Sequence, residues 1–249
     1  MLTKYELSLI AKEHAEEMEI KYQKEIEDCV VRTKVYSPDS IFDTQSKIHD
    51  MQIITENLDT VSALKKYKEG KTALLNFASY KHAGGAFLCG SRAQEEDLCH
   101  KSFLFNVLRR FGTMYYAWNE NHKNKGLYLN RALYCPDVLF EDEYYCDVIT
   151  CAVPNRSIFK RYRSVSEEEN EAVLRSRLKF ILDIAKDNKV NTLILGAIGC
   201  GVFSQEPTMV ANIFQEYLDT NYRCFDKVIF AVPQSRGSNN FKVFKEIFG

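Results

Sequence analysis

Residues 72–97 decide the fold, and they read TALLNFASYKHAGGAFLCGSRAQEED. The first part of this stretch, 72–78, is an apolar run, which predicts a buried strand. A loop containing Gly84 and Gly85 follows it, and a helix is expected over about 93–110. Open α/β sheets bind their ligands beyond the carboxyl ends of such strands. The stretch therefore predicts an α/β fold with a ligand site at this strand end.

A second glycine-rich turn reads GAIGCGVF and spans residues 196–203. It follows an apolar strand predicted over 192–197 and precedes a helix expected to begin near Pro207, a residue favoured in a first helical turn. Three glycines at such a junction let backbone N–H groups surround a phosphate. The Gly-x-x-Gly-x-Gly spacing is not that of a dinucleotide-binding fingerprint. The sequence predicts a phosphate-binding loop here, with a simple tight turn as the alternative.

Outward from these two loops, helical and strand patterns alternate along the chain. A capping box, Thr3-x-x-Glu6, opens an amphipathic helix of about six turns, and a second box, Ser166-x-x-Glu169, opens a long helix. The remaining predicted elements are strands near 29–36, 51–55, 132–135, 146–153 and 227–232, and helices near 60–69 and from about 239. This alternation predicts a mixed, mostly parallel sheet flanked by helices on both faces.

The domain organisation follows from the absence of a convincing linker. We expect one domain over residues 1–249, because no Pro-, Gly- or Ser-rich segment divides it. Within it, residues 1–50 are expected to form an N-terminal accessory helix and strand, and residues 51–249 the α/β core. The accessory helix would lie on the core or on a partner.

Composition excludes several classes of protein. The 33 Lys and Arg residues nearly cancel the 34 Asp and Glu residues, which argues against general nucleic-acid binding. No apolar run is long enough for a membrane span, and we expect no secretory signal. Eight cysteines without a Cys-x-x-Cys pair are typical of free thiols in a reducing, cytoplasmic environment. Five histidines without a His-x-x-x-His pair make a structural zinc site unexpected.

Two groups of residues carry possible chemistry. Glu95 and Glu96 lie at the start of the helix after the first loop. One interpretation is purely structural: acidic side chains in a first turn complement the helix dipole. Cys200 lies on a strand-to-helix turn and is a conceivable thiol nucleophile, although no histidine partner is evident. The sequence therefore leaves a carboxylate site, a thiol hydrolase and a purely structural role open at this point.

Residues 76–98 resemble the signature of the microbial-type poly(ADP-ribose) glycohydrolases. In that family an Asn-Phe-Ala strand end precedes a glycine triplet, then six to eight residues, then Gln-Glu-Glu. Here seven residues separate Ala86 from Gln94, and the turn at 199–203 is similar to the family's diphosphate loop. The likeness extends more loosely from the helix near 60 to the last strand, roughly three quarters of the chain.

The resemblance implies a macro-domain-like fold and hydrolysis of the ribose–ribose O-glycosidic bond of poly(ADP-ribose) without metal or cofactor. Glu96 would be the general acid that protonates the leaving oxygen, and Glu95 would hold the ribose hydroxyls. The implied partners are ADP-ribose and ADP-ribosylated macromolecules. The substrate-binding residues implied by the resemblance are Asn76, Ala78, Gly84, Gly85, Ala86, Phe87, Gln94, Gly199, Cys200, Gly201, Val202 and Phe203.

Ala86 departs from the family pattern because it replaces the third glycine of the triplet. Where the family backbone has a positive φ, alanine is strained by about 1 kcal/mol or more, and its methyl group would also narrow the pocket. The alternative function is a non-catalytic or mono-ADP-ribose-specific macro domain. The Glu95–Glu96 pair favours the enzyme, because a protein that only binds ADP-ribose needs no acids at the scissile bond.

Overall fold

A seven-stranded mixed sheet forms the centre of the protein in a computed structural model, which describes residues 2–42, 50–161 and 165–249. The strands are β1 (Lys34–Tyr36), β2 (Gln52–Glu56), β3 (Thr72–Phe77), β4 (Ala132–Phe140), β5 (Tyr144–Cys151), β6 (Thr192–Leu195) and β7 (Lys227–Ala231). Their order is β1-β4-β5-β3-β6-β7-β2. Strands β5, β3, β6, β7 and β2 are parallel, whereas β4 runs antiparallel to β1 and β5. The predicted mixed, mostly parallel sheet is confirmed.

Helices cover both faces of this sheet. They are α1 (Lys4–Lys21), α2 (Gln23–Arg32), α3 (Thr60–Tyr67), α4 (Gln94–His100), α5 (Leu104–Leu108), α6 (Trp118–Asn121), α7 (Glu167–Asp187), α8 (Pro207–Thr220) and α9 (Asn240–Phe248). Side chains alternate along β3, so that Leu74 packs against α2–α5 while Ala73 and Leu75 pack against α7 and α8. The result is a three-layer arrangement with an apolar core on each side of the sheet.

The helix starts follow the sequence signals closely. At α1 the backbone N–H of Glu6 donates to Thr3 Oγ1 at 3.2 Å, and that of Thr3 donates to Glu6 Oε2 at 2.6 Å. This is the predicted capping box. At α7 the N–H of Glu169 donates to Ser166 Oγ at 3.1 Å. Pro207 is the first residue of α8, as predicted.

Two element predictions were wrong. The segment assigned to a strand near 29–36 is helical as far as Arg32, because α2 buries Ile26 and Cys29 at helical spacing; only Lys34–Tyr36 is extended. The single helix expected over 93–110 is broken near Ser102. That side chain accepts from the N–H of Leu104 and donates to Leu98 O, so it competes with the helical backbone bonds. A π-helical turn at Gly112–Ala117 was not foreseen.

The N-terminal helix lies on the first glycine loop. Ser8 Oγ donates to Leu88 O at 2.6 Å, and a Cβ on Gly90 would overlap Lys4 O. The helix expected for the accessory segment therefore contacts the site loop directly. The boundary placed at residue 50 stays a prediction, and residues 43–49 lie outside the described residues.

Within the described ranges, no helix combines the length and apolar character needed to cross a membrane. The eight cysteines are free thiols, and five of them are buried.

Candidate active site

A cleft of about 830 Å³ lies at the carboxyl ends of the parallel strands, where the sequence predicted a ligand site. Strands β3, β5 and β7 contribute Phe77, Cys151 and Ala231 at their last positions. The two glycine loops and the first turn of α4 complete the walls. Of the residues predicted for the site, those that line the cleft are Ala78, Gly85, Ala86, Gln94, Glu95, Glu96, Gly199, Gly201, Val202 and Phe203.

Glu95 is buried and held at both carboxylate oxygens. Its Oε1 accepts from Asn76 Nδ2 at 3.2 Å, and its Oε2 accepts from the N–H of Ser79 at 2.7 Å. Burial raises the pKa of Glu95 to about 8, and the charge of Glu96 adds to this rise. Hydrogen bonds from Ser79, Asn76 and Gly84 oppose it. A carboxyl group of this kind carries its proton near neutral pH.

Glu96 is also buried, but backbone groups hold it. Its Oε1 accepts from the N–H of Ala86 at 2.8 Å, and its Oε2 accepts from the N–H of Ala93 at 2.9 Å. These two contacts connect the glutamate to the glycine loop on one side and to the start of α4 on the other. The carboxylate is therefore fixed in position at the cleft wall.

Gly85 lies between the two glutamates. A Cβ at this position would be 2.6 Å from Glu96 Oε1 and 3.0 Å from Glu95 Oε2, and φ is +62°. Both the contact and the backbone angle exclude other residues. Because both oxygens lie so close to one point, they are within about 5.6 Å of each other. The pair forms a single acidic group on one wall, not two acids facing each other across the cleft.

Ala86 does not strain the loop. The sequence had suggested two effects of this alanine, a strained backbone and a narrower pocket, and the first is absent. Its φ is −107° and its ψ is 31°, angles open to any L-residue. Positive φ values occur at Gly84 and Gly85 instead. The Ala86 side chain does line the cleft, so the second expectation, a methyl group that narrows the pocket, stays a prediction.

The second glycine loop is supported from behind by a buried pair of amides. At Gly199, φ is +77° and a Cβ would lie 2.7 Å from Val153 Cγ2, so only glycine fits. The N–H of Gln205 donates to Gly199 O at 2.9 Å. The Gln205 side chain exchanges hydrogen bonds with Asn170 of α7 and donates to Pro154 O. The loop therefore has a fixed shape before any ligand binds.

Several predicted site residues lie behind the cleft wall. Asn76 was expected to bind substrate; it is fully buried, and its Nδ2 donates to Glu95 Oε1 and Thr150 Oγ1. Phe87 was expected to bind substrate, but its ring is fully buried against His100 and Phe105. Asn76 therefore orients a carboxylate, and Phe87 is a core residue under the loop.

Gly84 and Cys200 also lie behind the cleft wall. The N–H of Gly84 contacts the Glu95 carboxylate, and a Cβ there would meet Phe105 at 2.9 Å. Burial raises the pKa of the Cys200 thiol to about 12, which disfavours the thiolate that a nucleophile requires. The hypothesis of a thiol hydrolase loses its physical basis.

Sequence reasoning missed two parts of the cleft lining, the segment after β7 and two polar residues just before the Gln-Glu-Glu motif. Val232, Pro233 and Ser235 line the cleft because β7 is adjacent to β6 in the sheet and ends at the same edge. The apolar strand ending in Val-Pro carried this signal, but only the strand order brings it to the site. Ser91 and Arg92 also line the cleft, and only Ala93 separates them from the Gln-Glu-Glu motif.

Among the described residues, no group of three or more His, Cys, Asp or Glu side chains could hold a metal ion. The charged side chains on the cleft include the acids Glu95 and Glu96 and the cations Arg92 and Lys101.

A three-layer macro-domain-like fold with a carboxylate pair beside two glycine loops defines the class of this protein. The chain belongs to the family of microbial-type PARG catalytic domains, whose pattern matches residues 7–141. PARG stands for poly(ADP-ribose) glycohydrolase. A search of curated proteins found no match.

Solved structures of poly(ADP-ribose) glycohydrolases resemble this chain. The chain is similar to poly(ADP-ribose) glycohydrolase from Thermomonospora curvata, with 29% identity, a TM-score of 0.88 and coverage of 98% of this chain and 100% of that one. A structure of that enzyme with the inhibitor ADP-HPD also has 29% identity, with a TM-score of 0.84 and coverage of 97% and 99%. The Deinococcus radiodurans enzyme in complex with ADP-ribose has 27% identity, a TM-score of 0.80 and coverage of 90% and 96%.

Proposed function

We propose that this protein is a glycosidase that hydrolyses the ribose–ribose O-glycosidic bond of poly(ADP-ribose) and releases ADP-ribose. The observation that carries the proposal is the pair Glu95–Glu96, buried at the wall of a cleft between two preformed glycine loops. The Thermomonospora and Deinococcus relatives have been solved with ADP-HPD and with ADP-ribose, respectively. Their family membership and nearly full-length likeness to this chain support the same ligand here.

Each of the two glycine loops would bind a different part of ADP-ribose. The backbone of Gly199–Phe203 would hold the diphosphate by N–H donors, which suits a protein whose net charge is only −1. The 84–86 loop would wrap the distal ribose and place its anomeric carbon against Glu96. Phe203 lines the cleft beside the phosphate loop and would pack on the sugar.

Glu96 would protonate the departing ribose oxygen as the glycosidic bond breaks, and would then take a proton from the attacking water. Glu95 would hold the ribose hydroxyls. Since burial raises its pKa to about 8, Glu95 would carry its proton at pH 7. A neutral Glu95 can also donate its proton to a sugar oxygen.

The spacing of the pair limits how water is activated. Inverting glycosidases place two carboxyl groups roughly 6.5–9.5 Å apart, on opposite sides of the sugar. Here both lie on one wall, and Glu96 Oε1 is within about 5.6 Å of Glu95 Oε2. We therefore assign both proton transfers to Glu96, with the substrate phosphate as the other group able to orient the water.

The test is direct incubation of the purified protein with poly(ADP-ribose), followed by mass identification of the products. We expect free ADP-ribose to accumulate. A parallel incubation with mono-ADP-ribosylated protein separates the polymer enzyme from a mono-ADP-ribose hydrolase. Tight ADP-ribose binding with no turnover of either substrate would instead support a non-catalytic macro domain.

We further propose a reducing, cytoplasmic environment for the enzyme, supported by eight free cysteine thiols, five of them buried. Fractionation of source cells checks this, and recovery of the protein in an oxidising compartment would contradict it.

A further inference from the structure

An arginine lies at the rim of the cleft beside Glu96. Arg92 is exposed and lines the cleft, and it immediately precedes Ala93, whose N–H donates to Glu96 Oε2 at 2.9 Å. The Ala93 nitrogen is two covalent bonds from the Arg92 Cα, so this Cα lies within about 5.5 Å of the carboxylate. The Arg92 side chain therefore begins close to the carboxylate that would act on the scissile bond.

The charge of Arg92 is not neutralised within the described residues. Its guanidinium makes one long hydrogen bond there, to Leu2 O at 3.4 Å, and no ion pair. Lys101, a second cation on the cleft, differs: its Nζ lies 3.0 Å from Asp97 and 3.3 Å from Asp59. Arg92 therefore has its charge and most of its donors available to an anion in the cleft.

The proposed substrate supplies an anion at this distance. In poly(ADP-ribose) the leaving oxygen is the 2′ oxygen of an adenosine ribose, and the same ribose carries a diphosphate on its 5′ carbon, a few bonds away. A single ADP-ribose attached to an amino-acid side chain has no phosphate on its leaving group. A cation beside the leaving oxygen therefore distinguishes the two substrates.

We propose that Arg92 binds a phosphate of the leaving ADP-ribose unit and so favours polymer over single ADP-ribose modifications. The inference rests on the proposed function, because it takes Glu96 as the group next to the scissile bond. It assigns Arg92 to the leaving unit and not to the ADP-ribose that the two glycine loops hold.

Two synthetic glycosides test this. Both carry ADP-ribose linked through its distal ribose to a 2′ oxygen, in one case of adenosine and in the other of adenosine 5′-monophosphate. We expect Arg92→Gln to lower kcat/KM about tenfold for the phosphorylated leaving group and to leave the adenosine glycoside unchanged. The affinity for free ADP-ribose, measured by calorimetry, should also be unchanged. Added salt should reduce the difference between the two substrates in wild type.

Arg109→Gln is the matched control, because Arg109 is an exposed arginine that lines a separate groove between α1 and α5. It should leave both substrates unchanged. Three results would overturn the inference. Arg92→Gln could affect both glycosides equally, affect neither of them, or weaken the binding of free ADP-ribose. Wild-type protein that cleaves neither glycoside would instead overturn the proposed function, which separates the two failures.

Discussion

The Oε1 atom of Glu96 accepts a hydrogen bond from the backbone N–H of Ala86 at 2.8 Å, which joins the proposed acid to the glycine loop. At the neighbouring Gly85, an added Cβ would meet both glutamate carboxylates. The loop conformation and the position of the acid are thus one structural unit. Substitutions in the loop should affect catalysis through the position of Glu96.

Replacing Ala86 by glycine should not relieve strain. The φ of −107° is ordinary for alanine, and glycine adds conformational entropy to the unfolded chain, so Ala86→Gly should lower stability by roughly 0.4–1 kcal/mol. Gly85→Ala is the contrasting change: its methyl group would meet Glu96 Oε1, so kcat should collapse. Urea unfolding and kinetics of both variants check this. A more stable Ala86→Gly protein would show that the loop is strained after all.

The stability of the ligand-free protein should depend on Glu95 between about pH 4.5 and 8. Its folded pKa is about 8, above the ordinary glutamate value of 4.5, so in this window the folded state keeps a proton that the unfolded state loses. Stability from this group is fully present below pH 4.5 and is lost as pH rises to 8. Each pKa unit is worth about 1.4 kcal/mol, so the loss amounts to several kcal/mol.

Glu95→Gln should remove this dependence, since glutamine does not titrate. Denaturant unfolding at pH 5 and pH 8.5 checks it: the variant should gain stability relative to wild type at the higher pH. Glu169→Gln, at an exposed position of α7, is the control. A difference between Glu95→Gln and wild type that is the same at both pH values would contradict the raised pKa.

The two glycine loops and the acid pair were predictable from the sequence, whereas the strand order was not. The apolar runs at β3 and β6 and the glycines after them carry local signals, so the loops were found at the correct strand ends. The role of Asn76 was not predictable, because its contact with Thr150 depends on the pairing of β3 with β5. The break near Ser102 likewise depends on a side chain competing with backbone bonds, which helical periodicity does not reveal.

The buried amide pair behind the second loop should control ligand affinity. Asn170→Ala leaves Gln205 Oε1 without its hydrogen-bond donor, which costs roughly 1–3 kcal/mol and loosens the loop at Gly199. We expect weaker ADP-ribose binding in calorimetry. Asn188→Ala is the matched control, because this buried amide bonds to Tyr36 and Ile184 at the other end of α7. If both variants lost the same affinity for ADP-ribose, the cause would be a general loss of stability, and the amide pair would have no specific role in binding.

Thiol chemistry should not matter for turnover. Cys200 has a raised pKa and a Sγ directed at Ile198 O, so Cys200→Ala should retain most of the wild-type activity. Treatment of the folded enzyme with iodoacetamide before the assay should also have little effect. Complete loss of kcat in Cys200→Ala, with ADP-ribose affinity intact, would restore the thiol nucleophile.

The most direct measurement of the central claim compares turnover and binding in Glu96→Gln. Glutamine keeps the size of the side chain but cannot supply a proton, and general acid catalysis contributes about 10²–10⁴-fold. The predicted result is a fall in kcat on poly(ADP-ribose) of at least a hundredfold, with the Kd for free ADP-ribose nearly unchanged. Retention of more than about a tenth of wild-type kcat would contradict the assignment of Glu96 as the general acid.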